Sequence, residues 1–140
     1  MSKLLKSTLE TLLGIALNPD SYDKDNNLAL AAFFAIGSLL ENSAKDTKNI
    51  VEDFFPVILG TFEKTLQNGA FSSDEMRNDY QNYLASVIEA CMVSEKIRLD
   101  LNGGRYVLNH LINSFNQRGG VYEEGLLAAS SIALGKYSLI

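Results

Sequence analysis

Residues 27–42 read NLALAAFFAIGSLLEN, and this stretch decides the fold of the 140-residue chain. Its apolar residues recur at steps of three and four positions, which is the spacing of a helix and not of a strand. They form two stripes along the predicted helix: Leu30, Phe33, Phe34, Gly37 and Leu40, then Leu28, Ile36 and Leu39. A helix with two apolar stripes is expected to be buried on two sides.

The same periodicity extends outward in both directions, and only two prolines interrupt the chain. It predicts an all-α fold of about six helices. Their expected ranges are 2–17, 27–42, a third helix from 43 or 46 to 67, then 72–94, 105–117 and 122–139.

Local signals fix the expected helix ends. Asp25 or Asn26 should cap the second helix, and Ser72 with Glu75 forms a capping box for the fourth. Pro56 predicts a kink or restart in the third helix, because proline lacks an N–H and clashes with the preceding turn. Residues 102–104, Asn-Gly-Gly, should break the chain before the fifth helix.

Helices two, four and six are expected to start near residues 27, 74 and 122, about 47 residues apart, a spacing typical of HEAT and armadillo repeats. The predicted fold is an α-solenoid of HEAT-type hairpins in the order B, A–B, A–B, A. It comprises a half-repeat 1–20, repeats 21–69 and 70–118, and a half-repeat 119–140. Because half-repeats need neighbours to cover them, we expect the chain to be a segment of a longer array.

Composition narrows the possible partners. The net charge is −5, which argues against binding nucleic acid directly and favours basic partners. The lone Cys91 cannot form an internal disulfide, and no apolar stretch has the roughly 20 residues that a membrane-spanning helix needs. We therefore expect a soluble intracellular chain without membrane insertion.

The motifs that could indicate metal binding or catalysis fit structural roles better than these functional ones. The string Asp23, Asp25, Asn27 resembles the start of a calcium loop, but Leu28 and Phe34 stand where glycine and glutamate are required.

His110 is the only histidine, so it cannot belong to a multi-histidine metal or catalytic cluster, and we interpret it as a surface or packing residue. Cys91 lies on an apolar stripe and is interpreted as a core residue. The Gly103-Gly104 doublet matches no phosphate-binding motif. We therefore predict no catalysis and no cofactor.

Three acidic residues are the candidate partner-binding site. Glu52, Asp53 and Glu63 lie on the predicted polar side of the third helix, where they could attract a basic ligand. A simple solvated helix face is the alternative interpretation.

Two blocks resemble the importin-beta family of nuclear import receptors. Residues 26–46, NNLALAAFFAIGSLLENSAKD, are similar to its middle HEAT repeats, and so are residues 121–135, VYEEGLLAASSIALG. The helix lengths between them also correspond.

The resemblance implies a carrier of proteins into the nucleus. The first, third and fifth helices would be B helices whose concave surface binds importin-alpha or a basic cargo segment, and Ran GTPase in its GTP form would displace that cargo. Phenylalanine–glycine (FG) repeats of nucleoporins would insert between neighbouring A helices on the convex side. The protein would then occur in the cytoplasm, the nucleus and the nuclear pore complex.

Two other classes stay open at this point. A HEAT scaffold, such as a phosphatase regulatory subunit or a coat or adaptor component, would share the period and the packing. An enzyme with a helical-bundle core would require polar groups that converge in a pocket.

Overall fold

The computed structural model describes residues 2–18, 20, 22, 27–43, 47–67, 71, 73–93 and 101–117. Within these ranges the protein consists of α1 (Ser2–Leu17), α2 (Leu28–Asn42), α3 (Lys48–Thr65), α4 (Asp74–Val93) and α5 (Leu101–Gln117), and none of the described residues forms a strand. The predicted all-α class is confirmed. The predicted sixth helix, 122–139, and the half-repeat 119–140 lie outside the described residues.

Two helix caps differ from the prediction by one or two residues. The side chain of Asn27, and not Asp25 or Asn26, accepts the N–H of Leu30 at 3.0 Å and caps α2. Ser73 accepts the N–H of Met76 at 3.1 Å at the start of α4, in the role predicted for the residue before it. In both cases the observed cap is the residue that directly precedes the first helical turn, which is the position that capping requires.

The predicted restart at Pro56 is wrong, since α3 continues through this residue. Pro56 is exposed, whereas Phe54, Phe55 and Ile58 around it are buried and anchor the helix on both sides of the missing N–H. Burial of three large apolar side chains outweighs the loss of one helical hydrogen bond.

The predicted break at residues 102–104 is also wrong. Helix α5 begins at Leu101, so both Gly103 and Gly104 lie in its first turn, and Gly104 is buried. Glycine costs least at a helix end, and a buried position without a side chain lets neighbouring atoms approach closely. Within α5, Leu108 and Leu111 lie in the core, whereas Tyr106 and Ile112 are exposed.

The helices stack in two rows, as expected for solenoid-type helical hairpins. Helix α2 packs against α1 and α4, α4 also packs against α3, and α3 contacts both α1 and α5. The apolar core lies between the rows, and its largest fully buried side chains are Tyr80, Phe33, Phe62, Leu9, Ile36, Leu40, Ile58, Leu84, Ile88, Met92 and Leu111. The division into repeats 21–69 and 70–118 stays a prediction.

A buried polar chain links three helices. Ser114 of α5 donates a 2.7 Å hydrogen bond to Oε1 of Gln81 in α4, and Gln81 Nε2 donates a 3.3 Å bond to the carbonyl of Thr65 in α3. All three residues are at most 2% exposed. Because buried polar groups need partners, these bonds fix how α3, α4 and α5 align.

Candidate binding groove

Helices α2 and α4 lie parallel and close together. Asn27 is bonded to Tyr83, and further along both helices a methyl group placed at Gly37 would lie 3.8 Å from Cβ of Ala90. From the first pair to the second, the residue numbers rise on both helices. The two helices therefore run in the same direction. The small residues Gly37 and Ala90 permit the close approach.

An open groove of about 320 Å³ runs along this pair of helices. Its α2 side presents Leu30 and Phe34, which are 44% and 77% exposed. Among the described residues, the lining comprises Leu30, Phe33, Phe34, Gly37, Ser38, Glu41, Asn82, Tyr83, Ser86, Val87, Glu89 and Ala90. A largely exposed phenylalanine beside an apolar depression is typical of an interaction surface.

The floor of the groove is held in place by aromatic packing. Phe33 is 2% exposed, and its ring centroid lies 5.8 Å from that of Tyr80 and 5.9 Å from that of Tyr83. Asn27 Nδ2 donates a 2.9 Å hydrogen bond to the Tyr83 hydroxyl, while the same side chain caps α2. Such contacts fix side-chain orientation, so the groove is formed before any ligand arrives.

The two ends of the groove differ in charge. Along the lining, Leu30 and Phe34 precede Glu41 on α2, and Tyr83 precedes Glu89 on α4. Neither lysine nor arginine occurs among the described residues that line it. The groove therefore offers an apolar end and an acidic end.

The apolar spacing did not reveal this groove, because it placed Leu30 and Phe34 on a stripe that was predicted to be buried. Leu28, on the second stripe, is also 53% exposed, so the predicted burial of α2 on two sides is wrong at these positions. The signal was present in the sequence: α2 is apolar around most of its circumference, and such a helix has either a second buried side or a face that binds a partner.

The predicted acidic site is divided between two environments. Glu52 and Asp53 are exposed near the start of α3, and Lys48 Nζ lies 3.5 Å from Glu52 Oε1. Glu63 lies eleven positions beyond Glu52, roughly 16 Å further along the helix. Glu52 and Asp53, which are neighbours in the sequence, therefore lie near the start of α3, and Glu63 lies apart from them.

Glu63 instead connects α3 to α5. Its Oε2 accepts a 3.1 Å hydrogen bond from the Tyr106 hydroxyl, and its Oε1 lies 3.8 Å from His110 Nε2. The bond to Glu63 raises the pKa of Tyr106, with smaller contributions from desolvation and from the negative charge. His110 Nδ1 also lies 2.8 Å from the Tyr106 carbonyl of its own helix, and its side chain is 12% exposed, which fits the predicted packing role.

The described residues contain no cluster of three or more histidine, cysteine, aspartate or glutamate side chains that could hold a metal ion. Cys91 is fully buried, which confirms its core position. In the part of the chain that the structure describes, the helices are too short or too polar to cross a membrane.

Two rows of stacked helices, with an open groove between parallel neighbours, define a helical repeat protein. Residues 1–135 match the family model described as importin subunit beta-1-like, TPR repeats. The chain belongs to this importin subunit beta-1-like family, which confirms the resemblance at the level of the family. Comparison with curated proteins found no match, and comparison with solved structures found none.

Proposed function

We propose that this chain is part of a nuclear transport receptor and that the groove between α2 and α4 binds FG repeats of nucleoporins. One observation carries the proposal: Phe34, 77% exposed, stands beside an open apolar groove between two parallel neighbouring helices. Membership of the importin subunit beta-1-like family supports the same interpretation. The alternative of a phosphatase or coat scaffold has no comparable support.

An FG repeat suits this groove chemically. A phenylalanine side chain that enters it gains about 1.5–3 kcal/mol from burial, which on its own gives a weak and rapidly reversible complex. The adjacent glycine permits the peptide backbone to approach the helices closely. Several such weak sites along an array would combine through multivalency, as a carrier moving through a pore requires.

The test measures binding of a labelled FG peptide to the chain by fluorescence anisotropy. Phe34→Ser is expected to weaken binding about tenfold, because one well-placed aromatic contact is worth about 1.4 kcal/mol. Leu4→Ser is the matched control, since Leu4 is 67% exposed on α1 and lies outside the groove. A peptide with serine in place of phenylalanine should not bind. Equal affinities for both variants and the unaltered chain would refute the groove as the site.

The proposal includes two further partners, Ran GTPase and a basic segment of importin-alpha or cargo. An acidic surface attracts such a segment, and Glu52 and Asp53 remain exposed on α3. Glu63 already accepts a hydrogen bond from Tyr106, so we assign it a smaller contribution to binding the basic segment. As a carrier, the protein would act in the cytoplasm, the nucleus and the nuclear pore complex.

The two proposed partners are tested by measuring how the chain binds a basic importin-alpha N-terminal peptide, with and without Ran bound to GTP. Asp53→Lys should weaken peptide binding, and the effect should fade at high salt because exposed charges are screened. Asp20→Lys makes the same charge change in the connector after α1 and serves as the control. Indifference to Ran, or binding of a phosphatase catalytic subunit instead, would favour the scaffold alternative.

A further inference from the structure

We infer that His110 links α5 to α3 in a pH-dependent way, because only its protonated imidazole can pair with Glu63. Both ring nitrogens face a defined oxygen: Nδ1 lies 2.8 Å from the carbonyl of Tyr106 on its own helix, and Nε2 lies 3.8 Å from Oε1 of Glu63 on α3. The side chain of His110 is 12% exposed, so water screens the ring only partly. This link lies outside the groove between α2 and α4 and does not depend on the proposed function.

The contact at Nδ1 determines which nitrogen carries the proton of the neutral ring. A carbonyl oxygen can only accept a hydrogen bond, so Nδ1 of His110 is the donor and carries the proton. In the neutral ring Nε2 is then an acceptor that faces a carboxylate oxygen, and two acceptors cannot bond. Protonation places an N–H on Nε2 and a positive charge beside Glu63, which turns the contact into an ion pair.

The carboxylate of Glu63 is held in position for this pairing. Its other oxygen, Oε2, accepts the 3.1 Å hydrogen bond from the Tyr106 hydroxyl. Lys64, beside Glu63 in the sequence, and Arg105, beside Tyr106, are cations on the same two helices and oppose a positive charge on His110. Both are exposed, so solvent and salt screen their repulsion, and the carboxylate in contact with the ring has the larger effect.

Helix α4 meets this part of α5 through an uncharged residue. Gln81 accepts the hydrogen bond from Ser114, one turn beyond His110. The charged residue of α4 closest to Gln81 in the sequence is Asp79, and its carboxylate accepts a hydrogen bond from Tyr22. The ion pair with His110 therefore joins α5 to α3 and not to α4.

The expected pH dependence has a definite sign. His110 is the only histidine of the chain, and histidine changes its charge between pH 5 and pH 8. Because the pair exists only in the folded chain, its stabilisation is greatest near pH 5.5, where histidine is mostly protonated and glutamate is ionised, and it is lost as pH rises toward 8. Glu63 is 51% exposed, so screening by solvent keeps the effect small.

The test is a double-mutant cycle of His110→Gln and Glu63→Gln, with the unfolding equilibrium constant measured by urea titration at pH 5.5 and at pH 8. At pH 5.5 and low salt we expect the two residues to be coupled by about two- to fivefold in that constant. The coupling should disappear at pH 8, and high salt should reduce it at pH 5.5. The control is the same cycle for Lys48 and Glu52, an exposed pair on α3 without a histidine, whose coupling should be equal at both pH values.

A second measurement needs no variant and so does not depend on whether the variants fold. The nitrogen-15 NMR shifts of the imidazole at pH 8 should show the proton of neutral His110 on Nδ1. A proton on Nε2 would overturn the inference. So would a coupling between His110 and Glu63 that is the same at both pH values, or a control pair that changes in the same way.

Discussion

Tyr22 donates a hydrogen bond from its hydroxyl to Oδ2 of Asp79, a residue 57 positions later in α4. Its ring lies 5.8 Å from that of Tyr80. Asn27, at the end of the same connector, bonds to Tyr83. The connector between α1 and α2 is therefore attached to α4 at two points. These bonds help to set how α2 and α4 stack.

Removing the first attachment should destabilise the chain. Tyr22→Phe deletes the hydroxyl and keeps the ring, so we expect a loss of about 1 kcal/mol in the free energy of unfolding. The measurement is urea unfolding at pH 7, followed by circular dichroism. Asp79→Ala removes the acceptor of the same bond and provides a second variant that should also destabilise the chain.

The same bond should make stability depend on alkaline pH. Desolvation, followed by the bond to Asp79 and its negative charge, raises the pKa of Tyr22 above that of a free tyrosine. The contribution is complete below the unfolded-state pKa of about 10 and is lost as pH rises from there toward the folded-state pKa, because only the unfolded chain releases its proton. The stability advantage over Tyr22→Phe should therefore shrink from pH 9 to pH 11. A constant difference would contradict this assignment.

These attachments show what a sequence can and cannot predict. The helical class and the bounds of α1 followed from local apolar spacing, a signal that lies within one or two turns of the residues it determines. The pairing of Tyr22 with Asp79 depends on how separate helices stack, and no periodicity encodes it. The exposure of Phe34 was missed for the same reason, because spacing shows which residues share a face but not whether another helix covers that face.

Phe33 and Phe34 should respond very differently to truncation. Phe33→Ala removes a side chain that is 2% exposed and should cost about 3–5 kcal/mol, since it leaves a cavity against Tyr80 and Tyr83. Phe34→Ala alters a side chain that is 77% exposed and should change stability by about 0.5 kcal/mol or less. Paired chemical denaturation curves test this. A large loss for Phe34→Ala would mean that another part of the protein covers this residue.

The contact between Gly37 and Ala90 should tolerate one methyl group but not a larger side chain. A Cβ at Gly37 would lie 3.8 Å from Cβ of Ala90, an ordinary van der Waals distance. Gly37→Ala should stabilise the chain by about 0.5–1 kcal/mol, because alanine favours the helix. Gly37→Leu should destabilise it by about 1–3 kcal/mol by forcing α2 and α4 apart. Thermal unfolding of both variants gives the comparison, and a destabilised alanine variant would show that the helices pack more tightly here.

The buried chain of Thr65, Gln81 and Ser114 should behave as one unit. Gln81→Leu leaves the Ser114 hydroxyl without this acceptor and the Thr65 carbonyl without this donor, so we expect a loss of about 2–3 kcal/mol. Ser114→Ala alone should cost about 1 kcal/mol. The double variant should cost less than the sum of the single ones, because it removes both partners of one bond. Strict additivity in this double-mutant cycle would show that the bond does not couple α4 to α5.

The link between α3 and α5 can be followed through the titration of one tyrosine. The hydrogen bond to Glu63 raises the pKa of Tyr106, so Glu63→Gln should move that pKa down toward its usual value near 10. The measurement is the NMR titration of the Tyr106 ring carbon that bears the hydroxyl. Glu52→Gln, on the same helix but near its other end, is the control and should leave the titration unchanged. An unshifted Tyr106 in the Glu63→Gln variant would mean that the two side chains do not bond in solution, which would return Glu63 to the candidate surface for basic partners.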